Sequence, residues 1–166
     1  HVAASTGTLS KHEEPGEDIK VSSVPNALVL YNPVLITANA KGLKTFGGDK
    51  LEKMKARLGV QDPTTISPYH NIRKDLPPTL ILHGKADTTV PYSNAQAYLK
   101  QATVIGLRVE LEGYADMPHG FFNLGRYDNK MFLATVTRMH EFLRSIKYLN
   151  SKPRVNEFLN SMSKKE

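Results

Sequence analysis

The strongest indication of the fold is the segment Thr79-Leu80-Ile81-Leu82-His83-Gly84-Lys85-Ala86-Asp87-Thr88-Thr89-Val90-Pro91. It begins with a continuous apolar run, entered through Pro77 and Pro78 and left through Gly84, which is typical of a strand buried on both faces. Asp87 follows three residues after that glycine. Reactive groups gather beyond the carboxyl ends of strands in open parallel sheets, so Asp87 is placed where an acid could orient a histidine.

Two more strands are predicted around this one. Ala27–Tyr31 is a second continuous apolar run, also expected to be buried on both faces, whereas Arg108–Glu112 alternates as an edge strand does. The chain also contains segments that are typical of helices: 1–8, Asp49–Leu58, Ser93–Ile105, Asn129–Leu149 and Pro153–Met162. The order of these elements predicts an α/β fold, with parallel strands joined by right-handed crossovers and helices on both faces.

The predicted sheet is incomplete within the 166 residues. Ala27–Tyr31 is too apolar for an exposed sheet edge, and residues 9–25 are polar and interrupted by proline and glycine, which indicates a loop. We expect residues 1–150 to be the C-terminal part of one domain and residues 151–166 to be a C-terminal helix with a charged tail. An upstream segment or a partner chain is then needed to complete the sheet.

Composition excludes several classes of site. The chain has no cysteine, which rules out disulfides and thiolate chemistry, and it has no apolar run long enough for a membrane span. Most of the formal charge of +6 falls between Arg126 and Glu166, on basic side chains scattered along predicted helices. We interpret this charge as a solvated helix face rather than a nucleic-acid surface. The histidines show no metal-binding spacing, and the compartment stays open.

A histidine follows the third predicted strand, in Gly113-Tyr114-Ala115-Asp116-Met117-Pro118-His119-Gly120-Phe121-Phe122-Asn123. Asp87 and His119 lie just beyond consecutive strands, so we predict that they are neighbours in space. In such a pair the carboxylate holds one imidazole nitrogen while the other takes the proton of a serine. The order of acid and then histidine matches that of α/β-hydrolases. Taken singly, Asp87 could cap a turn and His119 could be a structural or exposed loop residue.

The chain resembles the esterase and lipase branch of the α/β-hydrolase superfamily, close to bacterial proteins grouped with carbohydrate acetyl esterases. The resemblance covers nearly the whole chain to about residue 150 and depends on residues 17–18, 24–34, 66–68, 77–91 and 119–123. It implies that Asp87 is the triad acid and His119 the triad base. Pro118 departs from the pattern, since the family usually has glycine before this histidine; proline could stiffen the loop or aim it differently.

The resemblance also implies that residues 1–4 directly follow the nucleophile elbow, so that the catalytic serine precedes His1. The chain itself contains no Gly-x-Ser-x-Gly segment. The implied function is hydrolysis of a carboxylic ester, on an acetylated sugar or another small acyl ester, without metal or organic cofactor. This chain alone is expected to be inactive. Two alternatives stay open: a serine peptidase of the prolyl oligopeptidase type, and a truncated hydrolase that only binds a partner through the edge at Ala27–Tyr31.

Other polar and aromatic residues have plainer interpretations. His83 ends a strand and is predicted to pack or to bond the backbone, and Asp116 is the rival triad acid because of its position near His119. His70 is expected to be structural or exposed, and His140 to lie on a helix surface. The pair Phe121-Phe122 is expected either to line an acyl or leaving-group pocket or to pack in the core.

Overall fold

Three parallel strands form the sheet of this protein. The computed structural model describes residues 1–9, 14–18, 20–43, 55–56 and 58–162. The strands are β1 (Leu28–Tyr31), β2 (Thr79–Gly84) and β3 (Val109–Tyr114), paired in that order. The predicted α/β class with parallel strands is therefore confirmed, and β3 runs two residues further than expected, as far as Tyr114.

The helices whose bounds are described are α1 (Val2–Thr8), α2 (Tyr92–Val104), α3 (Lys130–Ser145) and α4 (Val155–Met162). Short 3₁₀ turns occupy Pro63–Ile66, Pro68–Asn71 and Tyr127–Asn129. Most of the predicted helix at Asp49–Leu58 lies outside the described residues.

The predicted last long helix ends earlier than expected. α3 stops at Ser145 rather than at Leu149, because Ile146 leaves helical geometry and Lys147 has a φ of 65°. A residue with positive φ cannot continue a right-handed helix. The following helix, α4, begins at Val155 rather than at Pro153.

The central strand is the most buried element of the sheet. All residues of β2 are buried, as the sequence predicted, but β1 alternates between buried and partly buried residues and is not buried on both faces. Leu28 and Leu30 belong to the core cluster, whereas Val29 and Tyr31, on the opposite face of the sheet, are only partly buried. In the described chain β2 has a strand on each side, whereas β1 is paired only with β2.

One face of the sheet packs against α1 and α2. Leu28, Leu30 and Ile81 point to this face, where the helices contribute small and aromatic side chains. The cluster also contains Ala4, Leu35, Ile36, Leu76, Ala95, Tyr98, Ala102 and Val109. Burial of this apolar surface holds the strands in register, since a slip by one residue would turn the cluster away from the helices.

The chain divides into two compact units. Residues 1–119 contain the sheet, α1 and α2, and residues 120–166 contain α3 and α4. Within the second unit the rings of Phe132 and Phe158 lie 6.3 Å apart and join the two helices. Among the described residues, every helix is too short or too polar to cross a lipid bilayer.

We expect Ile81→Ala to lower the free energy of unfolding by about 2–5 kcal/mol, because it removes a fully buried side chain and leaves a cavity. Val104→Ala is the matched control, since Val104 is 79% exposed on α2 and should change stability by less than about 0.5 kcal/mol. Urea denaturation measures both. Equal losses in the two variants would contradict this description of the core.

Candidate active site

Asp87 is held by its own turn immediately after β2. Its Oδ1 accepts hydrogen bonds from the backbone N–H groups of Thr89 and Val90, both at 2.8 Å. This is the local bonding that Asp side chains form in turns, so Asp87 does cap a turn, as the plainer interpretation held. The carboxylate is fixed in orientation, and its second oxygen is left for another partner.

That partner is His119. Its Nδ1 lies 2.8 Å from Asp87 Oδ2, so the structure brings the two predicted residues together. The Asp87 side chain is 0% exposed and the His119 side chain 45% exposed. A buried acceptor keeps Nδ1–H bonded without competition from water, while the imidazole stays accessible from outside. This arrangement can hold a histidine in the tautomer that accepts a proton at Nε2.

Backbone hydrogen bonds tie the two loops together. Lys85 N–H donates to Tyr114 O at 2.9 Å, and Ala86 N–H donates to Met117 O at 3.1 Å. Gly84 permits this approach, since a Cβ at its position would collide with the Met117 carbonyl. The loop that carries Asp87 is thus joined to the loop that carries His119 by main-chain contacts.

The proline before His119 does not turn the imidazole away. Met117, whose geometry Pro118 restricts, is the residue whose carbonyl bonds the acid loop. Gly120 follows the histidine with a φ of 72°, a conformation that glycine adopts without a steric penalty. The departure from the usual glycine is therefore compatible with the contact between Asp87 and His119.

His83 supports the acid loop from inside the protein. It is completely buried, and its Nε2–H donates to Val90 O at 3.0 Å. The same nitrogen lies 3.5 Å from Asp87 Oδ2, and the ring stacks edge to face with Tyr92. His83 is therefore a packing and backbone-bonding residue, as predicted. Burial lowers the pKa of His83, which favours the neutral ring.

Asn32 also belongs to the site, although the sequence analysis did not single it out. Its side-chain oxygen accepts a hydrogen bond from Gly84 N–H at 3.0 Å, and its Nδ2 lies 3.5 Å from His119 Nδ1. The signal that could have found it is positional. Asn32 directly follows β1, as the Asp87 loop follows β2, and the carboxyl ends of parallel strands share one edge of the sheet.

The other candidate residues lie elsewhere or have structural partners. Asp116 is exposed, and the carboxylate that contacts His119 Nδ1 is that of Asp87. His70 is partly buried and bonds Ser67 Oγ at 2.8 Å, which makes it structural. His140 is partly exposed on α3, and its Nδ1 is buried. Phe121 is completely buried.

Ionisable side chains can hold metals as well as protons. Within the described residues, no group of three or more histidine, aspartate or glutamate side chains is arranged to hold a metal ion. The polar contacts at the ends of the strands are instead a carboxylate, an imidazole and an amide.

An acid and a histidine beyond the carboxyl ends of adjacent parallel strands are typical of α/β-hydrolases, and the chain has that fold. Comparison with known families agrees. Residues 30–148 match the prolyl oligopeptidase family, and the chain belongs to that family. A search of curated proteins found no match.

Solved structures of one enzyme are similar to this chain. Native esterase 2 of the planctomycete Thermogutta terrifontis is 41% identical, with a TM-score of 0.79 over 90% of this chain. The same esterase phosphonylated by sarin is 41% identical with a TM-score of 0.81, and its propionate-bound form is 41% identical with a TM-score of 0.78, each over 90% of this chain. The present chain spans about half of those esterase chains, at 52–54%.

We expect the stability of the protein to fall as the pH drops below about 6.5, the usual pKa of histidine. Because the pKa of His83 is lower in the folded state, the unfolded state binds a proton first and is stabilised as the pH falls. His83→Gln should lose this part of the pH dependence. The measurement is the free energy of unfolding between pH 8 and pH 5.

The value at pH 8 is the internal control, because there the ring is neutral in both states and the variant reports lost contacts alone. An unchanged slope of stability against pH in His83→Gln would contradict the assignment of His83 as a buried neutral ring.

Proposed function

We propose that this chain carries the acid and the base of a serine ester hydrolase, Asp87 and His119, and that the nucleophilic serine lies in sequence preceding His1. The observation that carries this proposal is the 2.8 Å contact between the buried carboxylate and the half-exposed imidazole. The family assignment and the similarity to a solved esterase also support the proposal. The missing Gly-x-Ser-x-Gly segment is the reason for assigning the serine elsewhere.

In the proposed reaction the serine Oγ attacks the ester carbonyl while its proton passes to His119 Nε2. Asp87 holds Nδ1–H and stabilises the imidazolium that forms. Collapse of the tetrahedral intermediate breaks the ester bond, and the departing alcohol takes the proton from Nε2. Water then attacks the acyl-enzyme, again losing a proton to Nε2, and the carboxylic acid leaves as the serine is restored. The balance is ester plus water to acid plus alcohol.

The proposed substrate is an ester of a short acyl group. Structures of the Thermogutta esterase include forms with propionate and with butyrate bound, which supports short carboxylic acids as the acyl part. An acetylated sugar is the preferred alcohol part because of the resemblance to carbohydrate acetyl esterases. We also propose that an upstream segment pairs with the outer edge of β1 and completes the sheet.

A serine peptidase is the second candidate, and the match to the prolyl oligopeptidase family is the observation that favours it. Ester and amide hydrolysis use the same acid and base, so Asp87 and His119 fit both. The third possibility, a binding protein without activity, differs from both in lacking an activated serine.

A fluorophosphonate probe, which reacts with activated serines, separates the catalytic possibilities from the binding one. We expect no labelling of the 166-residue chain alone, and labelling of the protein extended by its upstream sequence, at a serine shortly before His1. His119→Ala in the extended protein is the control and should abolish labelling, because the serine then lacks its base. Labelling of the 166-residue chain would place the nucleophile within it, and an unlabelled extended protein would favour the binding role.

In the extended protein we expect Asp87→Asn to lower kcat for p-nitrophenyl butyrate by on the order of 10³-fold or more, with KM little changed. The reason is that the substitution removes the carboxylate that accepts from Nδ1–H and stabilises the imidazolium. Asp116→Asn is the matched control, since it makes the same change at the exposed rival acid. A large loss in Asp116→Asn would overturn the assignment of the acid. Faster turnover of a prolyl p-nitroanilide would favour the peptidase.

A further inference from the structure

Asn32 occupies a constrained position at the end of β1. Its side chain is buried, with the residue 3% exposed, and its N–H donates to Leu82 O at 2.9 Å, which continues the pairing of β1 with β2. Its φ is 41°, in the left-handed region that few residues other than glycine and asparagine adopt. The backbone and the burial together give the amide a fixed place beside the ends of the other two strands.

The hydrogen bond from Gly84 N–H determines the orientation of the Asn32 side-chain amide. A backbone N–H can only donate, so the atom 3.0 Å from Gly84 N is the side-chain oxygen of Asn32. This bond extends the ladder between β1 and β2 by one side-chain contact. The NH₂ group must then lie toward His119, where Nδ2 is 3.5 Å from Nδ1.

In the contact between Asn32 and His119, two hydrogen-bond donors face each other: the Asn32 NH₂ group and the His119 Nδ1–H. Nδ1 carries the proton that it donates to Asp87 Oδ2 at 2.8 Å, so the NH₂ group of Asn32 cannot donate to the same nitrogen. Asn32 therefore offers Nδ1–H no lone pair on its side of the ring, and Asp87 is left as the acceptor. The orientation depends on Gly84, because a rotated amide would turn its oxygen toward Nδ1.

We propose that Asn32 is a positioning residue of the active site, which presents a donor to the Nδ1 edge of His119 and so directs Nδ1–H to Asp87. The proposal rests on the function proposed above. It adds Asn32, which follows β1, to the pair formed by Asp87 and His119. Asn32 acts through His119 and takes no part in bond making. Asp87 is the ionisable group that contacts the same imidazole, at 2.8 Å, and the buried His83 ring lies 3.5 Å from that Asp87 oxygen.

The substitution Asn32→Asp keeps the side-chain acceptor for Gly84 N–H and removes the donor near His119. A carboxylate can still accept from Gly84 N–H, but its other oxygen replaces the NH₂ group and gives Nδ1–H a second acceptor. We expect the NMR resonance of the His119 Nδ1 proton to shift, and the acidic limb of kcat/KM in the extended protein to move to higher pH, since two carboxylates favour the imidazolium. We expect kcat to fall about 10- to 100-fold with KM within about threefold.

Asn26→Asp is the matched control, because it adds the same charge at the exposed opposite end of β1 and should leave the resonance and kcat unchanged. If Asn32→Asp does not fold, Asn32→Gly tests the proposal instead. Glycine adopts the positive φ and removes both side-chain contacts, so kcat should fall to a similar extent. Wild-type kcat in Asn32→Gly, or an unshifted resonance and pH profile in a folded Asn32→Asp, would overturn the proposal.

The NMR measurement does not depend on turnover. If the extended protein hydrolyses no ester, the proposed function fails, while the Nδ1 resonance of the 166-residue chain and of its Asn32→Asp variant still reports whether Asn32 directs the imidazole. A shifted resonance without activity would retain the positioning contact and reject the hydrolase.

Discussion

The two carboxylate oxygens of Asp87 have different partners, and this arrangement organises the site. Oδ1 is occupied by the N–H groups of Thr89 and Val90, and Oδ2 is directed at His119. Because the carboxylate is buried, its hydrogen bonds act in a medium of low dielectric and are not exchanged for water. One short turn thus makes Asp87 both a structural cap and an oriented acceptor.

This acceptor is useful only because three strands end at the same edge of the sheet. Asn32 follows β1, Asp87 follows β2 and His119 follows β3, and neighbouring strands are roughly 5 Å apart. The loops must approach more closely than most side chains allow, which explains the glycine at position 84. The Met117 carbonyl then bonds the acid loop, so the position of His119 is set largely by main-chain contacts.

The family match is to a family named for a peptidase, and the similar structures are those of an esterase. An oriented histidine can serve acyl transfer from an ester or from an amide, so Asp87 and His119 do not decide between the two. Substrate choice belongs to the groups that surround the scissile bond, and a fold does not specify them. The identity of 41% with an esterase over most of the chain is the more specific of the two comparisons, and it is the reason for preferring ester hydrolysis.

The sequence alone predicted the class of fold and the proximity of Asp87 and His119, and their 2.8 Å contact confirms that proximity. The apolar run at β2 and the alternation in β3 are local patterns that hydrophobic periodicity reports directly. Asp87 and His119 follow these two strands in the sequence. The folded structure was needed to show that Asn32 meets His119, that Gly84 lies against the Met117 carbonyl, and that β1 is only partly buried. These contacts join residues far apart in sequence, and their geometry depends on strand register and loop approach, which residue type and spacing do not encode.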